Sequence, residues 1–344
     1  MKENFKIASV IIGTIVGAGL ASGQEVLQFF SLYGKKGFIG IIICCIFYIF
    51  FLKIIIKLSI KNDLKSYKEL TYFILGRKLG ALIDFIISFF LFGGNVIMLS
   101  GGAALLNEYL NIPKTYAIFI MSLSSFIMAI YSTKGLVKLN SIIVPFSSAI
   151  ILLIGASVLI NNSPQYIYNQ IYSSLPIKSN FILSSILYAS FNTVSASGVL
   201  CPLVHEYKEK KHFISGCTIG SIVLTILVLI INLSIIVYAP KSYYFEIPNL
   251  YLSKVSDSLL PPFVSAAILL EMFSTEISDL YSIAKAFQFS FKISYINALI
   301  IIILFSVPFA FIGFSNLINI LYPAFGAAGI LFCAACMVKY DRNL

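Results

Sequence analysis

The chain has 344 residues, of which 59% are hydrophobic and only 11% are charged. Soluble domains are about 45–50% apolar and about 25% charged, so this composition excludes a water-soluble enzyme or binding domain. The aromatic content of 15% and the low charge also exclude a disordered chain. The net charge of +10 indicates basic loops at a membrane surface rather than nucleic-acid binding, because the basic residues lie between apolar runs.

Ten apolar segments of membrane-spanning length follow one another along the chain. Turn-forming residues separate them, as at Gly34 to Gly37 and at Asn161 to Pro164. The segments cover residues 5–32, 37–60, 80–110, 115–132, 137–160, 181–204, 212–239, 262–287, 293–313 and 315–338. Ten such helices leave only short loops, so we predict a single all-α integral membrane domain over residues 1–344.

Lys and Arg residues are distributed unevenly between alternate loops. With the N-terminus on the cytoplasmic side, 18 of the 24 basic residues lie at cytoplasmic ends and the other six in outer loops. This bias predicts a multi-pass protein of a bacterial-type plasma membrane with both termini in the cytoplasm. The longest inner connection, 61–79, is predicted to lie on the cytoplasmic surface. The longest outer connection, 240–261, is a candidate cover for an outer vestibule.

The first and sixth segments contain stretches rich in small residues. Residues 17–25 read Gly-Ala-Gly-Leu-Ala-Ser-Gly-Gln-Glu, and residues 192–198 read Asn-Thr-Val-Ser-Ala-Ser-Gly. Both contain Ala-Ser-Gly, about half a chain apart, which predicts two inverted five-helix repeats, 5–160 and 181–338, with helices 1 and 6 broken. The alternative is that the glycines only permit close packing of continuous helices.

An unwound segment inside a helix bundle exposes backbone groups that bind charged ligands. Free carbonyls coordinate cations, and the N–H groups of a new helix start bind carboxylates, so an α-amino acid matches both. Residues 22–25 have the capping-box spacing. This predicts Ser22 as the N-cap of a second half-helix running from about Gly23 to Tyr33, with Glu25 reaching back to the cap.

Four carboxylates fall well inside the apolar segments: Glu25, Glu271, Glu276 and Asp279. Two others, Asp84 and Glu108, lie near the ends of the third segment and are interpreted as solvated. A charge at the membrane centre costs at least about 2.5–3.5 kcal/mol, so ionisable residues there indicate function. Neither Lys nor Arg lies near the centre of any segment. The carboxylates are therefore predicted to hold a proton, to bind a cation such as Na⁺, or to meet a positively charged substrate. The alternative for any one of them is an interhelical hydrogen bond.

Other chemistry-bearing motifs are weak. Cys333 and Cys336 have redox or metal spacing, but they lie in an apolar helix without a nearby His, and we interpret them as packing residues. His205 and His212 flank a basic loop and are interpreted as solvated. The sequence contains no HExxH, no Asp-rich metal motif and no G-x-S-x-G, which argues against a membrane enzyme.

The segment layout, with breaks in helices 1 and 6, resembles the LeuT fold of the amino acid–polyamine–organocation superfamily. Residues 16–25 resemble the YkvI-type bacterial membrane proteins more closely. The resemblance covers the whole chain in layout, but its motifs are specific only around 13–40, with a weaker match around 188–205. It implies an ion site between carbonyls of residues 14–19 and hydroxyls of the eighth segment. It also implies a substrate site between the two breaks and the third segment.

Together these arguments define two sets of candidate residues. The candidate substrate-binding residues are Gly17, Ala18, Gly19, Ala21, Ser22, Gly23, Gln24, Glu25, Asn95, Ser195, Ala196, Ser197 and Gly198. The candidate ion-coupling residues are Val16, Gly17, Glu271, Ser274, Thr275, Glu276, Ser278 and Asp279, with a possible Na⁺ site near Val16, Thr275 and Ser278. The coupling ion stays open, because carboxylates surround the hydroxyls of the eighth segment and Lys138 lies at a segment end rather than at its centre.

The function predicted from the sequence is secondary active transport of an amino acid or related small amine by alternating access. Na⁺ or H⁺ would drive it, no other cofactor is expected, and the partners are the small-molecule substrate and the lipid bilayer. One alternative is a receptor subunit of the same fold that binds a small molecule without moving it. A channel is a further alternative, but paired half-helices favour a carrier.

Overall fold

The computed structural model describes residues 7–8, 11–13, 15, 17–131, 136–206 and 212–342. Within these ranges the chain is almost entirely helical and contains no strand, which confirms the all-α prediction. The helices are α1 Ala18–Ser22, α2 Gln24–Phe29, α3 Lys36–Lys61, α4 Tyr67–Leu110, α5 Lys114–Tyr131, α6 Leu136–Asn161, α7 Pro164–Ser173, α8 Phe181–Glu206, α9 His212–Val237, α10 Pro248–Ser256, α11 Leu260–Phe291, α12 Tyr295–Ala310 and α13 Phe314–Asp341. Short 3₁₀ turns cover Ser31–Tyr33 and Lys241–Tyr244.

Each predicted apolar segment coincides with one of these helices, or in the first segment with α1 and α2. Six stretches within the described residues are long and apolar enough to cross a membrane on their own. They are Lys36–Lys61, Phe89–Leu110, Phe181–His205, His212–Val237, Leu260–Ala284 and Phe314–Asp341. The apolar helices α5 and α12 are shorter, and α6 and α7 bend by 106° where they meet. Ten spans are compatible with these helices, and that number stays a prediction.

The first segment is interrupted at two glycines, as predicted. Gly17 is extended, with φ −112° and ψ −170°, and α1 begins directly after it. Gly23 separates α1 from α2 with φ +84°, a left-handed conformation that a residue without Cβ adopts at little cost. The backbone therefore leaves the helical conformation twice within seven residues, next to Glu25.

The predicted capping box at this break is wrong in its details. The N-cap of α2 is Gly23, not Ser22. Ser22 Oγ accepts a 3.3 Å bond from the Gln24 N–H and donates to the Gly19 carbonyl at 2.8 Å. Glu25 does not reach back to the cap, because its carboxylate accepts a hydrogen bond from a tyrosine of α8 instead.

The predicted break in helix 6 is also wrong, because α8 is one continuous helix. Its polar side chains are satisfied within the helix: Asn192 Nδ2 and Thr193 Oγ1 donate to carbonyls one turn earlier, at 3.1 and 2.7 Å. Close contact of α8 with α13 lies at Leu187 and Ser190, before the small-residue stretch, and an added Cβ at Gly198 meets nothing within 4 Å. At Gly326 of α13, an added Cβ would lie 2.4 Å from the Leu187 carbonyl oxygen of α8.

The outer connection 240–261 folds against the interrupted helix. Asn249 of α10 donates from Nδ2 to the Ala21 carbonyl at 2.8 Å and lies beside Gly23. Glu246 joins three further elements: Oε1 pairs with Lys114 at 3.0 Å, Oε2 accepts from the first N–H of α13, and its own N–H donates to Glu108. This connection therefore contacts the break, as a cover over it would.

We expect Glu246→Gln to lower stability by about 1–3 kcal/mol, because it removes an ion pair and weakens a charge-assisted hydrogen bond at the start of α13. The melting temperature of the purified protein in detergent measures the change. Asp257→Asn is the matched control, since Asp257 is exposed on the same connection and its replacement keeps an acceptor oxygen. Equal melting of the two variants would contradict a structural role for Glu246.

Candidate functional site

A cavity of about 400 Å³ lies beside the interrupted first helix. Residues of α1, α2, α4, α8, α11 and α13 form its walls. Nine predicted site residues line it: Gly17, Ala18, Gly19, Glu25, Ser195, Gly198, Glu271, Thr275 and Asp279. The fold thus brings candidates from three separate parts of the sequence to one space.

The other described candidates lie outside the cavity wall. The carbonyl of Ala21 is bonded to Asn249, Gln24 bonds to Ser315 of α13, and Asn95 donates to Ser306 of α12 at 2.6 Å. Further candidates buried in helix contacts are Ser22, Gly23, Ala196, Ser197, Ser274 and Glu276. Ser278 is exposed on α11. Val16 and Thr14 lie outside the described residues, so the predicted Na⁺ site stays untested.

Glu25 is buried at the edge of the cavity, with 5% of its surface exposed. Tyr188 donates to its Oε2 at 2.9 Å, and the Tyr322 hydroxyl lies near the carboxylate. The other oxygen lies against Gly19, where an added Cβ would come within 1.9 Å of Oε1. Glycine at position 19 therefore provides the space that the carboxylate of Glu25 fills.

Helix α11 contributes two carboxylates to the same cavity. Glu271 is 4% exposed, lies beside Ser147, and its Oε1 has no hydrogen-bond partner. Asp279 lies against Gly94 of α4, where an added Cβ would come within 2.5 Å of Oδ2. The third carboxylate of this helix, Glu276, is buried beside Ser125 and does not line the cavity.

Aromatic rings form the opposite wall. Phe90 and Phe325 lie 3.9 Å apart between ring centroids, and Phe191 lies 4.7 Å from Tyr322 and 5.8 Å from Phe325. The sequence analysis missed this wall and the two tyrosines that hold Glu25. The available signal was helical spacing, because Tyr188, Phe191 and Ser195 follow at three- and four-residue intervals along α8.

Polar contacts close one side of the site, the side predicted to face outward. Gln24 and Gln28 of α2 both donate to Ser315 of α13, at 3.2 Å for Gln28. Lys178 donates to Gln28 at 3.1 Å and to Asn319 at 2.7 Å, and burial lowers the pKa of its ammonium group. The cavity extends the other way, where Gly13, Tyr67 and Gly198 line it.

Metal-binding clusters are absent from the described part of the chain: no group of three or more His, Cys, Asp or Glu side chains there is arranged to hold an ion. Cys333 and Cys336 are buried, free thiols packed with Cys201 and Phe332. This environment agrees with their interpretation as packing residues.

The fold is shared with membrane transporters of known structure. The inward-facing conformation of Mhp1 superposes with a TM-score of 0.72 at 12% identity, covering 98% of this chain and 76% of that one. A Na⁺-coupled sialic acid symporter gives 0.63 at 15% identity, and the Eremococcus coleocola manganese transporter gives 0.61 at 14%, each covering 98% of this chain and 78% of the other. These likenesses show that the chain has the LeuT fold.

Sequence comparison identifies the relatives. No protein-family model matches the chain. YyaD of Bacillus subtilis is 24% identical over 339 residues, covering 98% of this chain and 97% of that protein. The membrane protein YkvI of Bacillus subtilis is 31% identical over 345 residues, covering 97% of this chain and 95% of YkvI. Because this identity extends over nearly the full length of both proteins, the chain belongs to the YkvI family of membrane proteins.

Proposed function

We propose that this protein is a secondary active transporter that moves an amino acid or a related small amine, coupled to Na⁺ or H⁺. The observation that carries the proposal is the cavity beside the interrupted first helix, which holds three carboxylates at the centre of a bundle with a transporter fold. Transporters built on inverted repeats bind substrate next to such broken helices. We keep the two repeats, 5–160 and 181–338, as part of this proposal.

The asymmetry of the site supports alternating access. Polar contacts between α2, α13 and Lys178 close the predicted outer side, while the cavity extends toward the predicted cytoplasmic side. With both termini in the cytoplasm of a bacterial-type cell, this arrangement corresponds to an inward-facing state. Transport then requires the contacts of Gln24 and Gln28 with Ser315 to separate while the inner side closes.

The carboxylates have a role in coupling under this proposal. A carboxylate buried without a cationic partner holds a proton or binds a cation, because the isolated charge is costly in a low-dielectric interior. Glu271 meets this condition within the described part of the site, and Asp279, which is partly exposed, lines the same cavity. Movement of the coupling ion onto and off these groups would link its gradient to the movement of the substrate.

Flux measurement tests the proposal. We expect purified protein in liposomes to accumulate one or more radiolabelled amino acids or small amines when an inward Na⁺ or proton gradient is imposed, and not when the gradient is collapsed. Comparing the two gradients identifies the coupling ion. A protein that binds one of these compounds but never moves it would be a receptor subunit instead.

We expect Glu25→Gln to reduce this flux at least tenfold while leaving the melting temperature nearly unchanged. The substitution keeps the size of the side chain and an acceptor for Tyr188, but it removes the charge. Asp341→Asn, at the exposed end of α13, is the control and keeps full flux. Unchanged flux in Glu25→Gln would exclude an essential charge at this position.

A further inference from the structure

Positive charge is concentrated at the predicted cytoplasmic side of the structure. Residues 53–78, at the end of α3 and the start of α4, contain seven basic and two acidic side chains. The end of α13 adds Lys339 and Arg342 against a single carboxylate, Asp341. These two stretches together therefore carry more than half of the net charge of +10.

Direct contacts join the three helix ends into one surface. Lys57 of α3 donates from Nζ to the Tyr340 hydroxyl of α13 at 2.9 Å. Lys339 of α13 lies 4.7 Å from the centre of the Phe73 ring of α4. We call the basic side chains of these helix ends the inner basic surface. Its members are Lys53, Lys57, Lys61, Lys68, Lys339 and Arg342.

The lysines of α3 form a ladder of like charge. Lys53, Lys57 and Lys61 follow one another at four-residue intervals, so they lie on one face of the helix. Like charges at this spacing repel one another and destabilise a helix. The ladder is therefore favourable only when negative charge from outside α3 lies beside it.

The carboxylates within residues 53–78 already have partners in the protein. Asp63 lies 3.0 Å from His205 of α8. Glu69 accepts the backbone N–H of Lys65 at 2.8 Å, at the start of α4. Two carboxylates also cannot balance seven cations, so the excess positive charge requires an anionic partner that the chain itself does not supply.

An apolar face of α3 continues directly into the lysine ladder. Ile46 and Phe50 are 64% and 46% exposed, and the exposed Lys53 follows three residues after Phe50. Positions 46, 50, 53, 57 and 61 are three or four residues apart and lie along one stripe of the helix. A soluble anion would match the ladder but leave the apolar part of the stripe unused. A phospholipid matches both parts, because its acyl chain and its phosphate are arranged in the same order.

The length of α3 places the ladder at the height of the lipid headgroups. The helix covers Lys36–Lys61 and is apolar enough to cross a membrane. About 20 helical residues cross the hydrocarbon core, so a span that enters near Lys36 leaves it between about Lys53 and Lys57. Lysine clusters immediately cytoplasmic of a membrane helix attract anionic lipids.

We propose that the inner basic surface binds an anionic phospholipid of the inner leaflet. Its phosphate lies among Lys53, Lys57 and Lys61, and an acyl chain lies along Phe50 and Ile46. This inference goes beyond the proposed transport function and does not depend on it, because lipid binding is measured without substrate and without a gradient.

Lipid titration of the purified full-length protein tests the inference. Native mass spectrometry in detergent measures the affinity of the first bound phosphatidylglycerol and of phosphatidylcholine with identical acyl chains. We expect phosphatidylglycerol to bind at least tenfold more tightly, and an excess of glycerol 3-phosphate not to displace it. Equal affinity for the two lipids would overturn the inference. Full displacement by glycerol 3-phosphate would show a site for soluble anions and would also overturn it.

A triple variant locates the lipid. We expect Lys53→Gln/Lys57→Gln/Lys61→Gln to weaken phosphatidylglycerol binding at least tenfold and to leave phosphatidylcholine binding unchanged. Replacing the same three lysines with Arg keeps the charge, and this variant should keep the preference for phosphatidylglycerol. If the Gln variant fails to fold, as its melting curve would show, Lys53→Gln and Lys61→Gln replace it, each expected to weaken binding at least threefold.

A matched control removes the same amount of charge from the other side of the membrane. The variant Lys35→Gln/Lys36→Gln/Lys241→Gln replaces three exposed lysines of the predicted outer loops. We expect it to bind phosphatidylglycerol as the wild type does. If the inner and outer variants lose equal affinity, the preference reflects total charge rather than the inner basic surface, and the inference is wrong. Full affinity in the inner Gln variant contradicts it in the same way.

Discussion

Gly19→Ala is expected to destabilise the protein by about 2–4 kcal/mol, a fall in melting temperature of about 3–6 °C. The new methyl group would lie 1.9 Å from Glu25 Oε1 and 2.4 Å from its Cδ. Glu25 must then swing away from Tyr188 and Tyr322, which leaves a buried carboxylate without donors. The same displacement of Glu25 is expected to weaken binding of the transported compound at the cavity at least tenfold.

Two further variants show whether the cause is this contact. Gly17→Ala is the matched control, because a Cβ there meets nothing within 4 Å and the backbone is extended. Glu25→Ala removes every atom that the Gly19 methyl would strike. We therefore expect the double variant Gly19→Ala/Glu25→Ala to be barely less stable than Glu25→Ala alone. Simple additivity of the two single effects would contradict the proposed contact.

Gly326→Ala is expected to lower stability by about 1–3 kcal/mol and to disturb the cavity from the opposite side. Its Cβ would lie 2.4 Å from the Leu187 carbonyl oxygen and 2.8 Å from the carbonyl carbon. These are backbone atoms of a continuous helix, so no side-chain rotation relieves the clash, and α13 must move away from α8. Both helices supply cavity residues, among them Ser195 and Phe325.

The control for this substitution is Gly198→Ala, on the other helix of the pair. An added Cβ at Gly198 meets nothing within 4 Å, so its melting temperature should match that of the wild type. Gly329 makes a second backbone contact, 2.7 Å from the Ser190 carbonyl carbon, and Gly329→Ala should act in the same direction as Gly326→Ala. Unchanged melting of both would mean that α8 and α13 do not pack through these glycines.

A stretch of small residues correctly predicts a break in the first helix and wrongly predicts one in the sixth helix. Both stretches contain Ala-Ser-Gly and look alike in the sequence. At 21–23 the glycine takes a left-handed conformation and the helix is interrupted. At 196–198 the helix continues, and Ser197 Oγ donates to the Val194 carbonyl within it. Local composition does not distinguish a helix that is interrupted from one that continues.

Glu25 illustrates the same limit within the candidate site. Its position in an apolar segment predicts a functional carboxylate from burial cost alone. Its spacing from Ser22 also predicts a local cap, which does not form. Its partner Tyr188 lies 163 residues away in the chain, so only folding decides that this contact replaces the local one.

Four features follow from the sequence: membrane insertion, the layout of apolar segments, the interruption at residues 17–23 and the presence of unpaired carboxylates. Each depends on local hydrophobicity, glycine content and charge. The tertiary structure alone decides that Gly19 and Gly94 make room for two of those carboxylates, that aromatic rings face them, and that Gln24 and Gln28 close one side through Ser315. These features join residues far apart in the chain, and contacts of that kind are set by how the helices pack rather than by the sequence near each residue.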